Sequence, residues 1–493
     1  MKIKLISPAR KSDWGSSFWD VETLVKVTGL KAAGAPLALL TLAALTPVDT
    51  DVVITDENLE PIDFEEEVDL VGISFFTSYA PRAYEIADIY RSKGVRVVLG
   101  GIHASMLPDE AIVHADSVVI GEAEETWPRL INDFKKGTLQ KFYRAERFPS
   151  LKNSPIPRWD LLEANAYSYF TVQTGRGCPH GCDFCAVHAF NGRKYRYKSI
   201  DRVVKEIELL KSINPRKNIL LADDNLLAKP SHAKELLKVL ELLDITFTAQ
   251  VSIDRLEDDE MLDMLCKAGC LTVFVGFESI SQESLDTVNK SRVNNVTRYK
   301  KVVEKAHSVG IEVLGSFVLG FDADDNQIFE ETANFIQDSG VAFAMINILT
   351  PLPGTRLYNQ FVKERRILSD QWQNYDAEHV CMVPKNMSGE ELLNGRTWLL
   401  KEISSYPALY KRLRNLSDKG VYSRAMPSTK ERILIILKCL ISADVKRFWF
   451  ILKSFWRPKS VSIASALFAI SVHDYAISLP FNGKLVSNRQ RYN

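Results

Sequence analysis

The sequence lacks the usual features of a secreted, membrane-spanning or nucleic-acid-binding protein. Its seven cysteines among 493 residues are odd in number and unevenly spaced, unlike a secreted disulfide framework. Basic and acidic residues number 62 each, so no net charge favours nucleic acid. No run approaches the roughly 20 apolar residues that a membrane-spanning helix needs, and residues 1–6 are typical of a strand rather than a signal peptide. We therefore expect a cytoplasmic protein.

Two successive series of strands and helices are followed by a helical tail. Residues 1–145 alternate short, Val/Ile/Leu-rich strands with helical segments, which predicts a doubly wound, Rossmann-like α/β domain. Residues 146–165 contain several prolines and predict a linker. Residues 166–370 predict a second βα series of about six units, whereas residues 371–493 become helical and basic.

The most specific pattern in the chain is a C-x3-C-x2-C motif. Cys178, Cys182 and Cys185 follow a predicted strand at 171–174 and the turn Gly175-Arg176-Gly177, where glycines allow close approach of the backbone. Three thiolates can ligate three irons of a cubane cluster and leave the fourth iron open to a substrate. The motif therefore predicts a reactive iron–sulfur site.

A structural zinc site is the alternative for these thiols. Zinc usually takes four nitrogen or sulfur ligands, and His180 or His188 is close enough in sequence to complete such a set. However, no second C-x-x-C occurs, and the other cysteines are scattered in apolar or helix-like segments. The spacing therefore favours the cluster over zinc.

Small and polar residues follow three consecutive predicted strands of the N-terminal half. They are Gly72 and Ser74, then Gly100, Gly101 and His103, then Gly121 and Glu122. Because the carboxyl ends of parallel strands meet at one edge of a sheet, we expect a flat ligand or its tail to contact the backbone there. A domain that binds nothing is the alternative, and a lone histidine at a strand end is often structural.

Together these motifs resemble the cobalamin-binding radical S-adenosylmethionine (SAM) enzymes. The cysteine motif is similar to the signature at which SAM chelates the open iron of a [4Fe–4S] cluster, and Phe184 matches an aromatic residue beside the adenine. The strand-end residues resemble those of a B12-binding domain, which implies cobalamin contacts there. Residues 56–61 lack the histidine of a D-x-H-x-x-G motif, so histidine ligation of cobalt is not expected.

The resemblance implies an open (β/α)6 barrel over residues 166–370 with SAM contacts at its strand ends. Asp223 or Asp224 would accept hydrogen bonds from the amino group of SAM. Ser252 and Arg255 would meet its carboxylate or ribose, and Glu278 its ribose or amino group. These residues fall at the carboxyl ends of consecutive strands, which form the catalytic face of βα barrels. Each alone is equally compatible with capping the next helix.

The function implied by the resemblance is C-methylation. One SAM would methylate cobalamin, and a second would be cleaved at the cluster to a 5′-deoxyadenosyl radical that abstracts hydrogen from an unactivated carbon. Ring closure, ring contraction or C–C coupling without methyl transfer remains an alternative, as does a non-catalytic cobalamin carrier. A methylthiotransferase is disfavoured because residues 1–150 contain no cysteine.

The partners implied are a small-molecule substrate and a reductant such as ferredoxin or flavodoxin. The substrate would be a secondary metabolite or a hydrophobic compound such as a lipid or isoprenoid. An oxygen-labile cluster suggests an anaerobic setting. The tail combines a capping-box pattern at 428–431 with apolar, aromatic and basic residues over 433–459. Such helices can lie on a membrane surface, and the alternative is a helical cap packed on the barrel.

Overall fold

The structure is a computed structural model that describes residues 1–14, 31–421, 445–455 and 463–480. The chain divides into two compact units. The first holds the described residues among Met1–Gly15, Lys31–Lys229 and Pro351–Asp376, and the second holds those among Pro230–Thr350 and Ala377–Asn493. This division differs from the predicted boundaries at 145, 165 and 370, because the cysteine loop and the N-terminal sheet belong to one unit.

A six-stranded parallel sheet forms the N-terminal part of the first unit. Its strands follow the order β2-β1-β3-β4-β5-β6. They are β1 (Lys2–Ser7), β2 (Asp51–Asp56), β3 (Leu70–Ser74), β4 (Arg96–Gly100), β5 (Ser117–Ile120) and β6 (Phe142–Arg144). The helices are Leu37–Leu45, Ala80–Ser92, Ile102–Met106, Pro108–Ala111 and Thr126–Lys135. The central strand β3 is apolar and almost wholly buried, as expected for a sheet covered on both faces. The predicted doubly wound α/β fold is thereby confirmed.

The segment predicted as a linker is packed into the first unit. The backbone N–H of Arg158 donates to the carbonyl of Leu40 at 3.1 Å. The side chain of Trp159 is buried and meets the ring of Phe170 edge-on, with centroids 5.7 Å apart. Burial of this large aromatic side chain explains why a proline-rich segment is held as part of the unit.

The first unit also contains the start of the second βα series. Strands β7 (Phe170–Val172) and β10 (Ile219–Leu221) pair in parallel. Along the chain, the segment between these two strands forms a two-stranded antiparallel ribbon of β8 (Gly175–Arg176) and β9 (Arg196–Tyr197). Helices run over Val187–Phe190 and Ile200–Ile213, and a further helix over Arg356–Lys363. The ribbon was not predicted, because two residues per strand leave no periodic pattern.

The second unit continues the series with four parallel strands in the order β14-β13-β12-β11. They are β11 (Phe247–Val251), β12 (Cys270–Glu278), β13 (Glu312–Leu319) and β14 (Phe343–Ile348). The helix Pro230–Leu242 precedes β11, and the helices between the strands are Asp259–Lys267, Gln282–Thr287, Tyr299–Ser308 and Gln327–Ser339. All six strands predicted for residues 166–370 are therefore present, two in the first unit and four in the second.

The tail is helical where it is described, with helices Gly389–Ser404, Tyr406–Asp418, Val445–Phe455 and Ile463–Ser478. Leu409, Leu413, Phe450 and Ile470 share one buried cluster with strand β14. For these residues the helical-cap interpretation is favoured. The pattern at 428–431 and most of 433–459 lie outside the described residues. No helix in the described part of the chain is long and apolar enough to cross a membrane.

Candidate active site

A cavity of about 700 Å³ lies within the first unit at the carboxyl ends of the sheet strands. Six of the seven predicted strand-end residues line it: Gly72, Ser74, Gly100, Gly101, Gly121 and Glu122. On another side it is lined by Gln173, Arg176, Asn191 and Asp224, which lie close in sequence or in contact with the cysteine loop. The edge of the sheet and the surroundings of the cysteine loop therefore border the same space.

Bare backbone faces this cavity at two glycines. Gly121 has φ +85°, and a Cβ built on it would have no atom within 4 Å. A Cβ on Gly100 would have its nearest neighbour, the Cβ of Val119, at 3.8 Å. Side chains at these positions would occupy open space rather than clash, so the glycines leave room for a flat molecule against the strand ends.

The cavity has an apolar wall formed by the helix Leu37–Leu45. None of its nine residues carries a charge, and Leu37, Leu42 and Leu45 line the space. Trp127 also lines it, and its indole N–H donates to the hydroxyl of Thr46 at 2.9 Å. This wall suits an uncharged, aromatic part of a ligand.

The structure places His103 away from the cavity, contrary to its predicted cobalamin contact. The helix Ile102–Met106 starts immediately after Gly101, and the ring of His103 is fully buried in the interior. Its Nε2 lies 3.3 Å from a carboxylate oxygen of Glu110, and Trp372 meets the ring edge-on. The surrounding aromatic side chains account for His103 as an interior residue.

Asn58 occupies the place of the histidine in a D-x-H-x-x-G motif and lines the cavity. Its side-chain amide donates to Asp56 at 2.8 Å, and the hydroxyl of Tyr167 donates to the same carboxylate at 2.9 Å. These bonds hold Asn58 at the end of β2 without any imidazole in the segment.

Backbone contacts hold the cysteine loop. The N–H of Cys178 donates to Gly192, and that of Cys185 donates to Cys182, both at 3.3 Å. Gly177 has φ +93°, and a Cβ there would lie 2.6 Å from the carbonyl oxygen of Lys194, so glycine is required.

The three cysteines of the motif and Phe184 are at least half-buried, and Cys182 is the most enclosed of the three. Arg356 pairs with Asp183 and donates to the carbonyl of Gly181. Among residues 1–14, 31–421, 445–455 and 463–480, no group of three His, Cys, Asp or Glu side chains has the arrangement of a metal site. The assignment of Cys178, Cys182 and Cys185 as cluster ligands therefore depends on the donor chemistry and spacing of the motif.

The two aspartates proposed for SAM have different surroundings. Asp223 is buried and accepts hydrogen bonds from the N–H and hydroxyl of Thr174 and the hydroxyl of Tyr195, each at 2.6 Å. Asp224 lines the cavity and accepts from the N–H of Gly177 at 2.7 Å and from Asn191 at 3.0 Å. Burial raises the pKa of both carboxyl groups. Of the two, Asp224 is the one placed to meet a ligand in the cavity.

Two arginines and two glutamates join the sheet edge to the cysteine loop; we call Glu122, Glu124, Arg176 and Arg196 the bridging cluster. Arg176 lies 2.9 Å from Glu122 and 2.6 Å from Glu124, and Arg196 pairs with Glu122. Burial opposes the charge on Arg176, but the two carboxylates outweigh it and raise its pKa. Of these four residues only Glu122 was a predicted site residue, although Arg176 stands between the two glycines of the turn before the cysteines.

The remaining predicted SAM contacts lie in the second unit, at strand ends as expected. Ser252 precedes a short 3-10 helix at Ile253–Glu257, in which Arg255 lies 3.4 Å from Asp254. Glu278 ends β12 with φ +62° and pairs with Lys290 at 3.0 Å. Their contacts with SAM stay predictions.

Comparison with known proteins identifies the family. The Radical SAM superfamily matches residues 172–336, and the B12 binding domain matches residues 27–131. Bacteriochlorophyllide d C-8(2)-methyltransferase of Chlorobaculum tepidum is 33% identical over 76% of this chain and 85% of its own length. The chain belongs to the cobalamin-binding radical SAM enzymes. Its cofactors are accordingly a [4Fe–4S] cluster, SAM and cobalamin.

Further relatives of this radical SAM enzyme include the C-12(1)-methyltransferase of Chlorobaculum tepidum, 31% identical over 78% of this chain and 85% of that protein. Hopanoid C-2 methylase of Rhodopseudomonas palustris is 26% identical over 68% of this chain and 66% of that protein. The radical SAM methyltransferase TsrM of Kitasatospora setae, solved with cobalamin and a [4Fe–4S] cluster, has a TM-score of 0.64 at 14% identity and covers 97% of this chain and 99% of its own. That likeness shows the shared fold.

Proposed function

We propose that this protein is a C-methyltransferase that transfers a methyl group to an unactivated carbon of a hydrophobic small molecule. The observation that carries the proposal is the shared cavity. Gly100 and Gly121 border it on one side, and Arg176 and Asp224, which adjoin the cysteine loop, border it on another. A methyl carrier and a radical source can therefore act on one bound substrate without a diffusing intermediate.

The residues around the cavity fit the cofactors. When bound, cobalamin would supply the methyl group and the cluster would supply the electron that cleaves SAM. The bare backbone at Gly100 and Gly121 would admit the flat corrin ring, and the helix Leu37–Leu45 would exclude water from an apolar part of the ligand. The thiolates of the C-x3-C-x2-C motif would ligate three irons.

We propose a hydrophobic ring system as the substrate class, with bacteriochlorophyllides as the first compounds to test. Support comes from the two bacteriochlorophyllide methyltransferases, which are 33% and 31% identical to this chain over 85% of their length. The hopanoid methylase also supports an apolar polycyclic substrate. Hopanoids are therefore the second class to test.

The reaction needs an external reductant, which we propose to be a ferredoxin or a flavodoxin. Contact with a membrane surface through the C-terminal helices stays a prediction. Phe450 and Ile470 are buried within the second unit, whereas Trp449 and Ile477 are 52% and 58% exposed. These two exposed side chains are the first positions to change when membrane binding is tested with vesicles.

The test uses anaerobically purified protein with a reconstituted cluster, bound cobalamin, SAM and a strong reductant. Bacteriochlorophyllide and hopanoid substrates are added in parallel, and S-adenosylhomocysteine, 5′-deoxyadenosine and product mass are followed by mass spectrometry. We expect both SAM products, together with a substrate that has gained one CH2 group. One SAM leaves as S-adenosylhomocysteine, and a second leaves as methionine and 5′-deoxyadenosine.

Cys182→Ala provides the matched control, because it removes the most enclosed of the three motif thiols while leaving the sheet edge unchanged. This variant should bind cobalamin, as followed by visible absorption, but produce no 5′-deoxyadenosine. Formation of 5′-deoxyadenosine by wild-type protein without S-adenosylhomocysteine would contradict methyl transfer and favour ring closure. Absence of both products with every substrate and reductant would contradict a catalytic role.

A further inference from the structure

We propose that Arg196 is a positioning residue that holds the cobalamin-binding edge of the sheet at a set distance from the cysteine loop. It does so through Glu122, which lines the cavity, whereas Arg196 itself lies off the cavity wall. The inference rests on the proposed function, because the spacing matters only if a methyl group and a radical must meet at one substrate.

The β8–β9 ribbon places two like charges side by side. Arg176 and Arg196 are direct partners in its antiparallel register. Like charges at such paired positions repel each other and destabilise the ribbon. The ribbon leads within two residues from Arg176 to Cys178, so any change in its geometry reaches the first cluster ligand.

Glu122, in the loop after β5, offsets this repulsion by contacting both arginines. One of its carboxylate oxygens lies 2.9 Å from Arg176 and 2.8 Å from Arg196, and its side chain is only 2% exposed. Glu124 adds a second contact with Arg176 at 2.6 Å. The two guanidinium groups are therefore neutralised only when the loop after β5 lies against the ribbon.

Arg196 is also fixed independently of Glu122. It donates to the backbone carbonyls of Pro149 at 2.9 Å and Asn191 at 2.8 Å, and its guanidinium lies 4.9 Å from the ring of Phe148. Asn191 in turn donates to Asp224, which holds the N–H of Gly177 next to Cys178. A planar, multiply bonded guanidinium at this point ties three segments to one geometry.

The experiment measures the distance between the two cofactors directly. Holoenzyme is prepared with cob(II)alamin and the reduced cluster, both of which are paramagnetic, and their separation is followed by pulsed electron paramagnetic resonance. Arg196→Met keeps an apolar stem near Phe148 but removes the charge, and Arg196→Lys restores the charge. We expect Arg196→Met to broaden the distance distribution and Arg196→Lys to narrow it again.

Arg82→Met is the matched control. Arg82 is buried to a similar degree, 15% exposed against 12% for Arg196, and pairs with Glu57 and Glu85 inside the N-terminal half. It should leave the distance distribution unchanged although it also breaks ion pairs. If Arg196→Met does not fold, the comparison is made between Arg196→Lys and wild-type protein, for which we expect a smaller broadening in the same direction.

A second measurement uses bacteriochlorophyllide, if wild-type enzyme methylates it. Methylated product formed per 5′-deoxyadenosine should fall about tenfold or more in Arg196→Met, because misplacement by about 1 Å has effects of this order. Distance distributions that are the same in Arg196→Met and wild-type protein would overturn the inference. Failure of the proposed function would appear differently, as absence of methylation by wild-type protein, and would leave the distance result intact.

Discussion

Gly100 and Gly101 are adjacent in the chain, yet we expect opposite responses to substitution by alanine. Gly101 has φ +91°, and a Cβ built on it would lie 2.6 Å from the carbonyl oxygen and 2.7 Å from the nitrogen of Phe75. With φ +91° and ψ −174°, this backbone lies in a region that essentially only glycine adopts, so strain costs alanine about 1–3 kcal/mol, and displacing the end of β3 adds about 1–3 kcal/mol. Gly101→Ala should therefore lower the free energy of unfolding by about 2–6 kcal/mol.

Gly100 has no such constraint. A Cβ there would meet the Cβ of Val119 at 3.8 Å and its carbonyl oxygen at 3.9 Å, which are ordinary contacts. Gly100→Ala should change the free energy of unfolding by no more than about 0.5 kcal/mol. A larger side chain, in Gly100→Leu, would extend into the cavity and should abolish cobalamin binding while the protein still folds.

Urea unfolding of the apoprotein, followed by circular dichroism, measures the stability of Gly101→Ala and Gly100→Ala. Titration with cobalamin, followed by visible absorption, measures cobalamin binding by Gly100→Leu. Equal destabilisation by Gly100→Ala and Gly101→Ala would contradict these predictions, and so would cobalamin binding by Gly100→Leu that is as tight as in wild-type protein. The first result would mean that the close contact with Phe75 is relieved without cost, and the second that the corrin lies elsewhere.

Three further substitutions test buried polar groups. Asp223→Ala removes the acceptor of three hydrogen bonds from Thr174 and Tyr195. It should lower the free energy of unfolding, measured in urea, by about 3–5 kcal/mol, and a decrease below about 1 kcal/mol would contradict this. Burial raises the pKa of Asp324 from 3.8 to about 6, so the folded state retains a proton and stability falls as the pH rises between these values. Asp324→Asn should remove about 3 kcal/mol of that fall. Burial lowers the pKa of His307 from 6.5 to about 3, so stability falls as the pH drops below 6.5. His307→Leu should remove about 2 kcal/mol of the decrease in the free energy of unfolding between about pH 7 and 5. Urea unfolding at several pH values measures both effects. A pH dependence of stability that is unchanged in Asp324→Asn or in His307→Leu would contradict the corresponding prediction.

The regular elements could be predicted well because their signals are local. Residues 1–145 were predicted to alternate strands and helices and residues 166–370 to form about six βα units, and the structure has alternating strands and helices in both segments. Alternation and helical periodicity are written in neighbouring residues, so a short window of sequence is enough to read them. The C-x3-C-x2-C motif is similarly local, and it identified the family together with the strand-end glycines.

Side-chain direction and long-range pairing could not be predicted in the same way. The sequence left Asp223 and Asp224 as equal alternatives, and packing separates them into an interior acceptor and a cavity residue. It placed His103 with the ligand-binding residues, whereas the start of a helix after Gly101 turns that ring into the interior. These outcomes depend on which neighbours fill the adjacent space.

The sequence by itself therefore determined the order of strands and helices and the family of enzymes, and it predicted the three cysteines that would ligate the cluster. Only the tertiary structure brought Glu122 to Arg196 across 74 residues of chain and made the predicted linker part of a compact unit. The physical reason is that charge pairing between distant segments and burial of a side chain such as Trp159 have no periodic signature. Such ion pairs and buried contacts form only when the folded backbone brings side chains from distant segments into the same desolvated space.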